Sequence, residues 1–522
     1  MAMALVALAA PPQSSPSGGP NPGVSEALAQ ERANAIGDLR YDLSFTVPAD
    51  RQQPVAGRGV VQLELKRPHR LVFDFAQPAD RLRRVRVGDR DVYAPVTDGH
   101  IVIEEGLTRA GLNRIEFEFT AGDEALNRND DFLYTLFVPA RARLAFPCFD
   151  QPDLKARYTL HLTVPASWQA VSNGAEKMRR PDGSAIAIDF VETRPLPTYL
   201  FSFVTGRFSV ETAMRAGREF RIFHRETDAA KVMRNRDAIF DLHAKAIAWL
   251  EDYTKIPYPW GKFDVVLIPS FQFGGMEHAG AILYNASGLM LDQSATQNQL
   301  LDRASVIAHE TSHMWFGDLV TMRWFNDVWM KEVFANFMAA KIVNPSFPEV
   351  NHELRFLLAY YPTAYQVDRT AGTNPIRQQL ANLDEAGQLY GPIIYQKAPI
   401  VMRQLELIVG ASKFRDGLRA YLKRYAYGNA TWLDLVRMLD ERTPIDVTAW
   451  SRAWVEERGR PSFTTTAAVD DRQRLTGIEI VQQDPMGRRM IWPQRLRVAL
   501  GYPGMVRELP VYVERDVTQV PK

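Results

Sequence analysis

A multidomain α+β fold is predicted for this chain of 522 residues, and three textures along it carry the prediction. From about Leu39 to Thr205, apolar and polar residues alternate in short runs, the period of half-buried strands. From about Leu300 to Glu457, apolar residues recur at helical spacing almost throughout. From Pro461 onward strand texture returns, as in Leu496–Leu500 and Leu509–Val513. The expected division is residues 1–35 as a signal-like or disordered linker, 36–205 as an N-terminal antiparallel β domain, 206–457 as a mainly helical domain with a small sheet, and 458–522 as a short β-sandwich-like domain.

Taken in order, the N-terminus comes first. Residues 3–10 (MALVALAA) are small and apolar, with an Ala-x-Ala pattern at Ala7 and Ala9. This reads either as the end of a secretory signal peptide, which favours a secreted or periplasmic location over a cytoplasmic one, or as an unstructured start. Residues 11–23 hold five Pro, three Gly and three Ser, the composition of a linker that cannot build a core. In the β region, Tyr41–Val47, Gly59–Leu65, Ile101–Glu104 and Tyr158–Val164 alternate cleanly, and Asp182-Gly183 supplies a turn. The basic run Arg81–Arg90 reads as a solvated strand face. In the helical region, Val232, Ile239, Leu242, Ala246, Trp249 and Tyr253 share a helix face, and Lys262–Pro269 looks like a buried strand.

Composition narrows the function. Lys and Arg number 62 and Asp and Glu 61, a net charge of +1, so a polyanion such as nucleic acid is not the expected partner. No apolar run approaches the roughly 18 residues of a membrane helix. Cys148 is the only cysteine, which excludes an internal disulfide and a Cys-rich zinc ribbon.

The chemistry is concentrated at residues 309–313, His-Glu-Thr-Ser-His. Positions i and i+4 lie on one helix face, so His309 and His313 can grip one Zn²⁺ while Glu310 reaches a water on it. Leu300, Leu301, Val306 and Ile307 give that helix an apolar face, and Gly317 offers a stop. A catalytic zinc needs a third protein ligand and one open position. Glu332 stands eighteen residues beyond His313, within the apolar helical text WFNDVWMKEVFANFMAAK, and a second helix folded back on the first would bring it to the metal.

The string HETSHMWFGDLVTMRWFNDVWMKEVFANF resembles the core of the gluzincin aminopeptidases of peptidase family M1, which include aminopeptidase N and leukotriene hydrolase. Further resemblance lies at 142–160 (ARLAFPCFDQPDLKARYTL), 273–285 (FGGMEHAGAILYN) and 393–406 (IIYQKAPIVMRQLE). It implies a thermolysin-like catalytic domain and one zinc per chain on His309, His313 and Glu332. It also implies Glu310 as general base and hydrolysis of the N-terminal bond of peptides with a free N-terminus. Tyr395 matches the family tyrosine that hydrogen-bonds the developing oxyanion, with Tyr390 as its near neighbour. Gly274, Gly275, Met276 and Glu277 match the exopeptidase stretch, with Glu277 pairing the substrate's α-ammonium group.

Departures from the family pattern also stand out. Position 278 is His where Asn is usual. Lys331 and Val333 replace smaller or uncharged neighbours of the third ligand. Val138 stands where many relatives carry a second polar anchor for the amine. Many relatives also have a large helical C-terminal domain, so this chain is expected to be either a minimal form with an open cleft or a fragment. Rival readings are an endopeptidase or epoxide hydrolase on the same site, or a catalytically silent binding scaffold.

Overall fold

The computed structural model describes residues 20–472 and 474–520. The signal-like run 3–10 and the first part of the Pro/Gly/Ser stretch lie outside the described residues. Within them, the expectation of a linker through residue 35 is corrected. Glu26–Ala35 is a helix, started by Ser25, whose side chain accepts from the Leu28 N–H at 3.2 Å. Only Ala29 and Arg32 of this helix are buried, so it has no apolar stripe for a sequence reading to find. Tertiary partners hold it instead: the Glu26 N–H donates to Ala381 O at 3.0 Å, and Arg32 is clasped by Asp74.

The β region is built on an eight-stranded sheet. In spatial order its strands are Glu176–Asp182, Ala185–Phe190, Arg157–Pro165, Ile36–Thr46, Ala56–Leu65, Gly111–Thr120, Leu82–Val87 and Arg90–Asp91. It is antiparallel except at one join: Ile36–Thr46 runs parallel to Arg157–Pro165, with Tyr41 opposite Tyr158. The expected antiparallel domain thus carries one parallel join, which the sequence does not reveal because period-2 alternation is the same for both directions and the two strands lie far apart in the chain. Beneath the sheet, Phe45, Phe73, Phe117, Phe119, Phe146, Phe149 and Phe201 fill the core. Tyr158 stacks between Tyr41 and Phe201 at 5.1 and 4.5 Å. The basic run meets acidic neighbours, with Arg84 pairing Asp91 at 2.9 Å.

The helical region carries a five-stranded sheet in the order Ser209–Arg215, Arg218–His224, Phe263–Ile268, Ala281–Asn285, Gly275–Met276. The last of these is an edge strand, so one side of its backbone is open to another chain. The helix Ala229–Thr254 begins at Asp228, whose carboxylate accepts from the N–H groups of Ala230 and Lys231. One continuous core joins the β and helical regions. The C-terminal strands form two small sheets around a separate core of Ile478, Ile480, Val511, Val513 and Val520. No helix among the described residues is long and apolar enough to cross a membrane.

Candidate active site

The helix Gln297–His313 begins with a reciprocal cap between Thr296 and Gln299 and buries Leu301, Ala304, Ile307 and Ala308. Burial of that face fixes the helix's rotation, and with it the direction of His309 and His313. The chain then reverses. Gly317 takes φ +132°, and the Asp318 N–H returns to His313 O at 3.0 Å. Lys155, from the 142–160 motif, donates to Asp318 O and Leu319 O at 2.8 and 3.2 Å and pins this turn. Burial pushes the Lys155 ammonium down to about 7. The next helix, Trp329–Val343, is buried along most of its length and packs back on the first.

That return brings the three expected ligands together. His309 Nε2 lies 3.1 Å from His313 Nε2 and 3.6 Å from Glu332 Oε2. Each imidazole is held from behind: His309 Nδ1 is 3.0 Å from Asn336 Oδ1, and His313 Nδ1 is 3.1 Å from Phe316 O. Donating Nδ1–H to those oxygens leaves both Nε2 lone pairs converging on one point, the usual outer support of a metal-bound histidine. A tetrahedral zinc with bonds of about 2.0–2.1 Å would set its nitrogens about 3.3 Å apart, close to the spacing here. Burial holds His313 down to about 4, whereas Glu332 and Glu310 outweigh burial and raise His309 to about 9 when no ion is there to take their charge. The residues present therefore fit a zinc ion.

Two groups of metal-ligating side chains are found among the described residues, His309–Glu310–His313 and Glu277–His313–Glu332. Both belong to this one centre. Glu310 is buried, and burial followed by the nearby Glu277 and Glu332 raises its carboxyl above the ordinary range, against the pull of His309. Its neighbour Gly275 shows why a glycine is needed there: an added Cβ would meet the Glu310 carboxylate at 2.5 Å. Gly274 has ordinary space, with Val306 at 3.6 Å. The paired glycines thus differ, and it is the second that lets the edge strand lie against Glu310.

These groups line one cleft of about 960 Å³. Gly274, Gly275, Met276 and Glu277 form one side, with Val138 beside them; Tyr390 and Tyr395 form another, and Phe356 and Tyr360 of the helix His352–Asp368 a third. Tyr395 lies in a π-helical segment, Ile393–Lys397, and its ring is 6.3 Å from that of Tyr390. Burial and then Glu332 raise the Tyr395 phenol well above the usual tyrosine value, so it is a hydrogen-bond donor at any working pH. His278 is fully buried and does not line the cleft.

The residue that sequence reasoning missed is Lys331. Its ammonium donates to Glu277 Oε1 at 2.5 Å and to Glu332 Oε1 at 2.7 Å. Burial alone would lower it, but Glu277 and Glu332 outweigh burial and hold it well above the ordinary lysine value. In turn Lys331 holds the buried Glu277 below the usual carboxylate range. Asn336 was also missed, although its position one turn after Glu332 put it on the same helix face.

Comparison with known proteins agrees with this geometry. The Peptidase family M1 domain matches residues 239–454, and the Peptidase M1 N-terminal domain matches residues 110–200, together more than half of the chain. Aminopeptidase M1-A of Oryza sativa subsp. japonica is 32% identical over 387 residues, covering 74% of this chain and 43% of its own. Puromycin-sensitive aminopeptidase of Caenorhabditis elegans is 33% identical over 386 residues, covering 72% and 40%. Leucyl aminopeptidase of Saccharolobus solfataricus is 29% identical over 388 residues, covering 73% and 49%. The chain spans about half the length of the curated relatives it matches.

Proposed function

The chain belongs to peptidase family M1, and on that premise we propose that it is a zinc-dependent aminopeptidase hydrolysing the N-terminal peptide bond of peptides. The observation that carries the proposal is the convergence of two imidazole nitrogens and the Glu332 carboxylate beside Glu310, in a cleft that also holds Glu277.

His309, His313 and Glu332 would hold the ion, from helices whose buried faces prevent them from drifting apart. When bound, zinc supplies Lewis acidity, polarising a peptide carbonyl and lowering the pKa of water toward 7. Glu310 takes the proton of the attacking water and returns it to the leaving amine. The Tyr395 hydroxyl donates a hydrogen bond to the substrate carbonyl oxygen as negative charge develops on it. The edge strand Gly275–Met276 offers free backbone groups along which an extended peptide can lie. Glu277 accepts the α-ammonium group, so the register is counted from the N-terminus. A substrate without that charge leaves a buried carboxylate less well paired.

The test is the zinc-loaded protein acting on a fluorogenic leucine amide and on its N-acetylated counterpart. The free-amine substrate is expected to be cleaved several-fold faster. Equal rates on the two, or no turnover of either, would sink the aminopeptidase reading.

A further inference from the structure

We propose that Lys331 is a specificity-determining residue: a built-in ammonium that already engages Glu277 and so loosens the hold on a substrate's own α-ammonium group. The proposal rests on the aminopeptidase reading for the role of Glu277, and on the structure for the contact.

Lys331 Nζ lies 2.5 Å from Glu277 Oε1 and 2.7 Å from Glu332 Oε1, and the side chains of Lys331 and Glu277 are each 5% exposed. The lysine has little room to leave. Its helix is buried, and its ammonium sits 5.8 Å from the centre of the Tyr199 ring. An incoming ammonium group must therefore share Glu277 with a fixed cation, and like charges repel strongly where little water screens them. No second anchor offsets this on the Val138 side, where the lining residue is apolar.

Charge points the same way. Glu277 and Lys331 already form a pair of opposite charges, so a free N-terminus brings a second cation to one carboxylate, whereas a neutral N-terminal nitrogen brings none. Removing the Lys331 charge leaves Glu277 to the substrate alone. The discrimination comes as much from the repulsive group inside the site as from the attractive one.

The experiment compares wild type with Lys331→Met, which keeps length without charge, Lys331→Asn as a second neutral variant, and Lys331→Arg, which keeps the charge. Leucinamide and N-acetyl-leucinamide are titrated calorimetrically into the zinc-free proteins. Both neutral variants are expected to bind leucinamide about tenfold more tightly than wild type, or about 1.4 kcal/mol, with N-acetyl-leucinamide unchanged and Lys331→Arg like wild type. With zinc, the ratio of kcat/KM for the free over the acetylated fluorogenic amide should rise about tenfold in the neutral variants, and taking that ratio cancels any difference in zinc occupancy. A ratio and a leucinamide affinity that stay level or fall would overturn the proposal and make Lys331 a prop for Glu277. So would a wild-type preference for leucinamide above about a hundredfold, which needs no variant to fold. If the holoenzyme cleaves neither amide, the aminopeptidase reading fails while the titration still decides the Lys331–Glu277 competition.

Discussion

Two buried charge clusters, one in the β region and one in the cleft, have similar ingredients. In the first, the two terminal guanidinium nitrogens of Arg32 donate to Asp74, at 2.6 and 2.9 Å, and one of them also reaches Gln151. Asp74 further accepts from the Asp150 N–H at 2.8 Å, and His100 Nδ1 lies 3.0 Å away. Burial alone would raise the Asp74 carboxyl, but Arg32 and His100 hold it down to about 2. In the second, Lys331 bridges Glu277 and Glu332, yet Glu310 beside them makes no direct ion pair among the described side chains and feels His309 and Lys331 only at longer range, and the group opens onto the cleft. The first cluster pairs its one carboxylate with Arg32 and a backbone N–H, and what it does is fasten the helix Glu26–Ala35 to the end of the strand Leu71–Asp74, which belongs to a separate three-stranded sheet. The second is left with surplus negative charge facing a cavity, which suits it to receive cations. Buried ion pairs therefore do not by themselves mark a site; an unbalanced set that lines a cavity does.

Breaking the cleft cluster at Glu310 should have the largest effect. Glu310→Gln is expected to keep its zinc, read by metal analysis, while kcat falls by about 10²–10⁴. Near-normal turnover would remove Glu310 from the role of base. Breaking the β-region cluster tests the other half of the comparison. Arg32→Met takes the permanent cation from the buried Asp74 and leaves it only the Asp150 N–H and His100, which should cost about 3–5 kcal/mol and lower the thermal midpoint, with kcat of the folded fraction unchanged. A loss of kcat without a loss of stability would mean that the β-region cluster communicates with the cleft.

The smallest effect sharpens the contrast with exposed pairs. His161 lies between Asp42 and Asp189, at 3.4 and 2.6 Å, with over a third of its side chain exposed. Asp42 first, and Asp189 against some burial, raise it from 6.5 to about 9. A raised folded-state value means that the stabilisation is complete below about pH 6.5 and is lost as pH rises through about 9. Solvent screening keeps it small, so His161→Ala should cost at most about 1 kcal/mol near pH 6 and nothing measurable at pH 10. An equal cost at both pH values would show that packing, not charge, is what the substitution removes.

Much of the site was legible before any coordinates. His309, Glu310 and His313 declare themselves because helical period turns a spacing of four into adjacency. Glu332 could be named from the need for a third ligand on a helix folding back, while Glu277 and Tyr395 needed the resemblance, since no local rule says that residues 277 and 310 meet. The parallel join of Ile36–Thr46 with Arg157–Pro165 was illegible, because alternation specifies which face is buried but not which neighbour the strand takes. The helix Glu26–Ala35 was illegible for a different reason: it is held by one arginine and a cap rather than by an apolar stripe.

The amino-acid sequence by itself determined the sequence of textures, the helix that carries His309 and His313 on one face, and the chemical types at the centre, because these follow from local periodicity and from what each side chain can do. Only the tertiary structure decided that the Lys331 ammonium turns onto Glu277, that Gly275 is spared a side chain for the sake of Glu310, and that Lys155 pins the reversal between the helices Gln297–His313 and Trp329–Val343. Each of these joins groups that are remote along the chain or whose rotamers point either way. Their meeting is set by how buried faces dock, and spacing along the chain does not encode that.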